Sequence, residues 1–186
     1  MNIDSIATAE PEFDFKAYFL GHTKASGWFC DRFGNIRKHF NGDFFGSVDG
    51  DKFILDETLA YSDGINESRL WKVSIDSKGN FRAEGDSLFG EARGRLVGNT
   101  LNLQYAMSVE VAGNKKWKLS MDDWMVYQPD GNLHNVTRVK KWGVLVGVVS
   151  TQYAKLKRSS SSVPGSANAE SASVQLAGNN KRFGQG

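Results

Sequence analysis

The sequence predicts an all-β fold, an antiparallel up-and-down β-barrel of about eight to ten strands with a short N-terminal helix. Three observations predict it. Short runs rich in Val, Phe, Trp, Thr and Leu recur from residue 22 onward. Turn signals carrying Gly, Asn or Asp separate successive runs, which implies nearest-neighbour hairpins. Long runs alternate apolar and polar residues, as strands with one covered face do. A long meander must manage its edges, and closure removes them. A β-sandwich is the second architecture considered, and the regular hairpin spacing favours the barrel over its crossings.

The elements follow in order. The ten residues before Pro11 are acidic and carry no strand pattern, so they are expected to be disordered. The segment Pro11 to Gly21 is the helix candidate: Asp14 caps it, Phe15, Tyr18 and Phe19 have helical spacing, and Gly21 ends it. Strands are expected near 22–32, 36–48, 52–62, 67–76, 80–86, 91–97, 100–111, 115–128, 133–142 and 144–154. The separating turns include Phe33-Gly34-Asn35, Ser62-Asp63-Gly64, Ser77-Lys78-Gly79-Asn80, Ala112-Gly113-Asn114 and Pro129-Asp130-Gly131-Asn132. The barrel domain spans 11–157. From 158 to 186 a Ser, Ala, Gly and Asn mixture cannot bury a core and is expected to be a disordered tail.

Composition narrows the function classes. A chain of 186 residues, 40% hydrophobic and 24% charged, is an ordinary single globular domain. The net charge of +2 comes from the C-terminal segment, where Lys155, Lys157, Arg158, Lys181 and Arg182 face Glu170 alone. The body before it is slightly acidic and shows no basic stripe, which argues against nucleic acid as a partner. Cys30 is the single cysteine, so no intrachain disulfide forms, and a small wall residue is its expected role. No apolar run is long enough to span a bilayer, and no secretory signal opens the chain as written. A cytoplasmic location is therefore expected, or a periplasmic or membrane-anchored one if the N-terminus has been trimmed.

The strand Trp117 to Tyr127 holds the main chemical signal. One face reads Trp117, Leu119, Met121, Asp123, Met125 and Tyr127, so an acid stands in an apolar row. A buried carboxylate needs a partner or a proton. The same alternation finds Glu57 among Phe53, Leu55, Leu59 and Tyr61, and Arg69 above Trp71, Val73 and Ile75. Glu57 and Arg69 lie on hairpin partners. Counting from a turn centred near Gly64 puts Glu57 seven residues away and Arg69 five, so this count does not place them opposite each other.

Two readings of this trio compete. In one, Arg69 pairs with Glu57 or Asp123 and closes the barrel floor. In the other, the trio faces a pocket lined by Tyr61, Trp71, Tyr105, Trp117, Met121 and Met125. Arg69 then anchors an anionic head group, or Glu57 or Asp123 acts as acid or base. Other constellations are weak. His22, His39 and His134 lack ligand spacing, so no metal is expected, and no Gly-rich loop sits between a strand and a helix, so no nucleotide cofactor is expected. Trp28, Trp124 and Trp142 are placed on the outer face or at the barrel mouth, where they would mark a partner or a membrane surface.

A set of motifs runs in order: Asp31-Arg32-Phe33-Gly34, Leu55-Asp56-Glu57, Tyr61-Ser62-Asp63-Gly64, Arg69-Leu70-Trp71, Gly90-Glu91-Ala92-Arg93-Gly94, Gly98-Asn99-Thr100-Leu101-Asn102 and Asp122-Asp123-Trp124-Met125. Through them the chain, from about Phe13 to Lys157, resembles an uncharacterised family of proteobacterial lipoprotein-like proteins with a domain of unknown function. The resemblance implies a lipocalin- or calycin-like barrel. Family members lie near genes for fatty acid modification, including cyclopropane-type methyltransferases, which implies a lipid ligand. It supplies no catalytic set. The chain departs from the family in lacking a lipobox cysteine and in adding the Ser-rich tail.

Three functions remain open. The leading one is binding of a lipid or other small amphipathic molecule inside the barrel, linked to fatty acid or membrane lipid modification, without catalysis and with peripheral membrane contact allowed. The second is an enzyme, an isomerase, cyclase or hydratase, using Glu57 or Asp123 for proton transfer on an apolar substrate. The third is a structural or adaptor protein with a filled barrel.

Overall fold

A computed structural model describes residues 3–6, 10–111 and 115–155 of the chain. Ten strands form one closed antiparallel barrel: β1 (Gly21–Asp31), β2 (Ile36–Asp49), β3 (Lys52–Tyr61), β4 (Asn66–Ile75), β5 (Asn80–Gly85), β6 (Ala92–Val97), β7 (Thr100–Val111), β8 (Lys115–Tyr127), β9 (Leu133–Lys141) and β10 (Val144–Lys155). Each strand pairs with its neighbours in sequence, and β1 closes the ring against β10. The expected up-and-down barrel is therefore the observed one, with ten strands.

The helix is shorter than the candidate segment. Helix α1 covers Phe15–Phe19 only, with Asp14 as N-cap accepting from the Ala17 N–H. Gly21 follows at φ +78° and opens β1. The first ten residues were expected to be disordered, but Ile3–Ile6 form a 3-10 turn, and Asp4 pairs with Arg95 at 2.5 Å. The expected tail at 158–186 and the turn at 112–114 lie outside the described residues.

Helix α1 plugs one end of the barrel. Phe13, Phe15 and Phe19 are almost wholly buried there. Phe15 meets Phe81 at 5.0 Å and Phe53 at 6.0 Å, Phe19 meets Tyr153 at 5.5 Å, and Phe13 stacks on Tyr127 at 5.6 Å. Gly46 makes the seat possible. A Cβ there would stand 2.1 Å from the Phe19 carbonyl oxygen, so only glycine lets the end of the helix rest on β2.

Four hairpins share one turn. At Asp31–Gly34, Tyr61–Gly64, Asp76–Gly79 and Gln128–Gly131 the glycine N–H donates to the carbonyl three residues earlier. The first residue of each turn then donates to the residue after the glycine, and each glycine has positive φ. This is a type I turn followed by a glycine bulge. Asp31 and Asp76 brace their turns by accepting backbone N–H bonds from residues two and four ahead. Desolvation works to raise the Asp31 carboxyl, yet hydrogen bonds from Arg37, Asn35 and Phe33 together hold it down at about 2.

Candidate functional site

Inside the barrel lies a cavity of about 520 Å³. It runs from Phe15 and Phe19 at the plug to Asp31, Lys38 and Trp117 at the opposite mouth. The volume falls within the roughly 300–1,000 Å³ of small-molecule pockets. The barrel formed by the described residues is thus hollow, which overturns the filled-barrel reading. All nine residues singled out from the sequence line this one cavity: Glu57, Tyr61, Arg69, Trp71, Tyr105, Trp117, Met121, Asp123 and Met125. The inward face of β8 is the face the alternation named. Trp124 faces outward, paired across the ladder with Val136 and Asn102.

Glu57 and Arg69 are directly opposed across the β3–β4 ladder, which corrects the register counted from Gly64. Ala60 pairs with Asn66, so the hairpin is centred on Asp63. Arg69 donates from Nη1 to Glu57 Oε1 at 3.1 Å and from Nη2 to Glu67. Trp71 donates from Nε1 to the other Glu57 oxygen at 2.8 Å. Tyr61 donates to Glu67 at 3.3 Å. Burial works against the Arg69 charge, yet Glu57, Tyr61 and Glu67 hold its pKa above the ordinary arginine value. Burial pushes the Tyr61 phenol up to about 12. The guanidinium therefore already meets two carboxylates and is not a free anion anchor. The group sits below the mouth, not on the floor, which α1 closes.

Asp123 is not part of that ion pair. It is 4% exposed, and its Oδ2 accepts from the Tyr105 hydroxyl at 3.1 Å. Tyr105 in turn lies edge-on to Trp71, with ring centroids 5.5 Å apart. Burial pushes the Asp123 carboxyl up to about 7, against the help of Thr137 and Tyr105 and with Glu57 and Asp122 adding to the rise. Thr137 stands opposite it on β9, but no donor meets hydrogen-bond geometry at Oδ1. Burial also drives the Tyr105 phenol well above its usual range, and Asp123 adds to this.

Sequence reasoning missed the wall beside Asp123. Asn135 and Thr137 on β9 and Thr151 and Tyr153 on β10 are buried and line the same cavity. Asn135 donates to Thr137 Oγ1 at 3.3 Å, and its own Oδ1 has no partner. Burial raises the Tyr153 phenol, and Glu57 and Asp123 add to the effect. The signal was present, because Leu133, Asn135, Thr137 and Val139 alternate as one buried face. The cavity therefore has one polar wall on β8, β9 and β10. Phe40, Phe44, Leu59, Val73, Leu103 and Met107 add apolar lining, with Leu103 beside Asp123 on β7 and Phe44 beside Glu57 on β2.

Among the described residues no cluster of His, Cys, Asp and Glu has the form of a metal site. No helix among them is long and apolar enough to cross a membrane. The barrel resembles the solved structure of an S-type phycobiliprotein lyase, CPES, from Guillardia theta. That likeness has a TM-score of 0.55 and 7% sequence identity, and covers 84% of this chain and 100% of the lyase. It is a likeness of fold. No curated protein matches the chain. Residues 1–155 match the family described as Protein of unknown function (DUF3833), and the chain belongs to that family.

Proposed function

We propose that the barrel binds an elongated, largely apolar molecule that carries one or more hydrogen-bond donors. The observation that carries this reading is a hollow interior whose polar wall presents two buried acceptors without partners, Asp123 Oδ1 and Asn135 Oδ1. Buried acceptors without partners are costly, and a ligand hydroxyl, amide or amine would satisfy them. Lipids with such a head group, and an acyl chain along Phe40, Phe44, Leu59 and Val73, fit this description. A carboxylate ligand fits less well, because Arg69 is shared between Glu57 and Glu67. Arg69, Glu57 and Trp71 then act as a braced wall beside the ligand. Tyr105, Met121 and Met125 line its path, and Tyr61 and Trp117 stand near the mouth.

Native mass spectrometry of the protein purified from its own host tests the reading, together with titration by N-phenyl-1-naphthylamine, an apolar amine. A bound lipid and saturable probe fluorescence are expected. Met121→Trp, which fills the cavity from a half-buried position, should abolish probe binding with little change in melting temperature. Asp123→Leu should weaken the probe roughly tenfold by removing one acceptor. A protein that carries no lipid and does not bind the probe would overturn the proposal.

A second reading is favoured by one specific pair. Asp123, with its carboxyl near neutrality, touches the Tyr105 hydroxyl and faces the cavity. That pair can give and take a proton beside an apolar substrate, as an isomerase or hydratase requires. Glu57 is the weaker candidate, since Arg69 and Trp71 hold both its oxygens. Under this reading Asp123→Asn abolishes turnover while the bound molecule is retained. Under the binding reading, what is bound leaves chemically unchanged.

A further inference from the structure

The barrel mouth carries a feature that ligand binding inside does not use. Trp142 and Gly143 form the two-residue turn between β9 and β10, with φ of +52° and +80°. Turns with positive φ at both positions take Asn-Gly or Asp-Gly. A bulky side chain at positive φ is an outlier, and such outliers persist where function holds them. Trp142 is also 91% exposed. Its ring meets the Lys141 ammonium, 4.6 Å from the centroid, and fills no core space.

Trp142 has company at the same end. Phe33 at the β1–β2 turn is 74% exposed, and Ile65 at the β3–β4 turn, Phe89 in the β5–β6 loop and Val144 beside Trp142 are all exposed. Basic residues stand among them. Arg32 lies 4.7 Å from the Phe33 ring, Lys118 4.8 Å from the Phe89 ring and Lys141 3.0 Å from the Trp117 ring. Asp31, Asp63 and Glu91 at this end are matched by Arg37, Lys38 and Arg93. Arg32, Lys115, Lys116, Lys118, Lys140 and Lys141 then outnumber Glu84, Asp86 and Glu110, so the mouth is basic. The plugged end carries Asp49, Asp51, Asp76 and Asp130 in its turns, with Lys52 and Lys78 beside them. The outer wall between the two ends shows His134, Arg138, Asn41 and Asp43, with Trp28, Phe45, Leu70 and Val136 exposed singly among them.

We infer that the mouth docks on an anionic lipid bilayer, with Trp142, Phe33 and Phe89 entering the headgroup layer and the lysines meeting lipid phosphates. Three features favour a bilayer over a protein partner. The apolar side chains sit on the tips of separate turns around an opening, so they form a ring and not a central patch of the kind protein interfaces bury. Lysine is depleted at protein interfaces but enriched beside anionic membranes. Tryptophan at a membrane surface has one apolar and one wet side, which a turn tip supplies. Docked in this way, the cavity opens toward the lipid. The inference does not depend on what the cavity holds.

The test is flotation of the full chain with vesicles of phosphatidylcholine alone and of phosphatidylcholine mixed with phosphatidylglycerol. Binding is expected to the mixed vesicles, and added salt should weaken it. Lys118→Ala and Lys141→Ala should each reduce it about fivefold. Trp142→Asn is the decisive variant. It places the preferred residue in the strained turn, so its melting temperature should rise while vesicle binding falls. Failure of the full chain to float with the mixed vesicles would overturn the inference and leave the mouth to a protein partner. Equal flotation of Trp142→Asn and the unaltered chain would overturn it as well.

Discussion

The two ends of the barrel are built from the same hairpins and used in opposite ways. Acids brace the turns at both ends, but at the plugged end α1 drives Phe13, Phe15 and Phe19 into the interior. At the mouth, aromatic residues point to solvent, and one of them holds a strained turn. A chain that spent its aromatic residues only on stability would bury them at both ends. The difference teaches that stability is concentrated at the floor, and that the mouth, relieved of that task, can carry features that cost stability.

The largest expected effect breaks the floor. Phe19→Ala removes a fully buried ring that contacts Phe15, Tyr18, Phe44 and Tyr153. It should cost about 3–5 kcal/mol in urea unfolding. Phe33→Ala, at the mouth, should cost less than about 0.5 kcal/mol. Comparable losses at the two sites would erase the distinction. Below the mouth, Arg69→Ala should cost roughly 3 kcal/mol, because Glu57 would remain buried without its partner. Changing Glu57→Gln together with Arg69→Met should recover much of that loss. An unchanged melting temperature for Arg69→Ala would show that water reaches Glu57 freely.

The Glu57–Arg69 pair also shows what was legible in the sequence. The alternation of polar and apolar residues revealed every strand and put both residues on the inner face. A count centred on Gly64 leaves their register open. In a type I turn followed by a glycine bulge, the glycine takes the left-handed position after the turn, and the centre falls one residue earlier, on Asp63. The β9 wall went unnoticed for a different reason. Asn135 and Thr137 are uncharged, so they do not stand out in an apolar row as Asp123 does, although their burial without partners is costly too. Helix α1 was placed correctly by Asp14 and overextended toward Pro11. Phe13 is part of the plug, but its N–H pairs with the Gly98 carbonyl and not with a helical one.

Asp123 sharpens the comparison at mid-barrel, between the plugged floor and the open mouth. Its carboxyl is raised to about 7 in the folded chain, from an ordinary value near 3.8. The folded state therefore binds this proton more tightly than the unfolded state. Stability from this group is present at low pH and is lost as pH rises from about 4 through about 7. Between pH 5 and pH 7 the loss should be about 2 kcal/mol, read from urea midpoints. Asp123→Asn should flatten the profile. A profile equally steep in the variant would assign the proton to another group. A ligand that donates to Asp123 should flatten it as well, by favouring the ionised form.

Apart from the near-neutral Phe33→Ala, the smallest expected effect is the most telling for the mouth. Trp142→Asn exchanges a residue that resists positive φ for one that tolerates it. Nothing buried is lost, since Trp142 is 91% exposed. The chain should gain about 1 kcal/mol, measured as a higher urea midpoint with an unchanged slope. Most substitutions destabilise, so a gain at a bulky aromatic is a specific expectation. The comparison turns on its sign. A loss would mean that Trp142 contributes to the fold through Lys141 and Trp117, and that the mouth, like the floor, is built for stability. A gain would mean that the turn is held strained for some purpose other than folding.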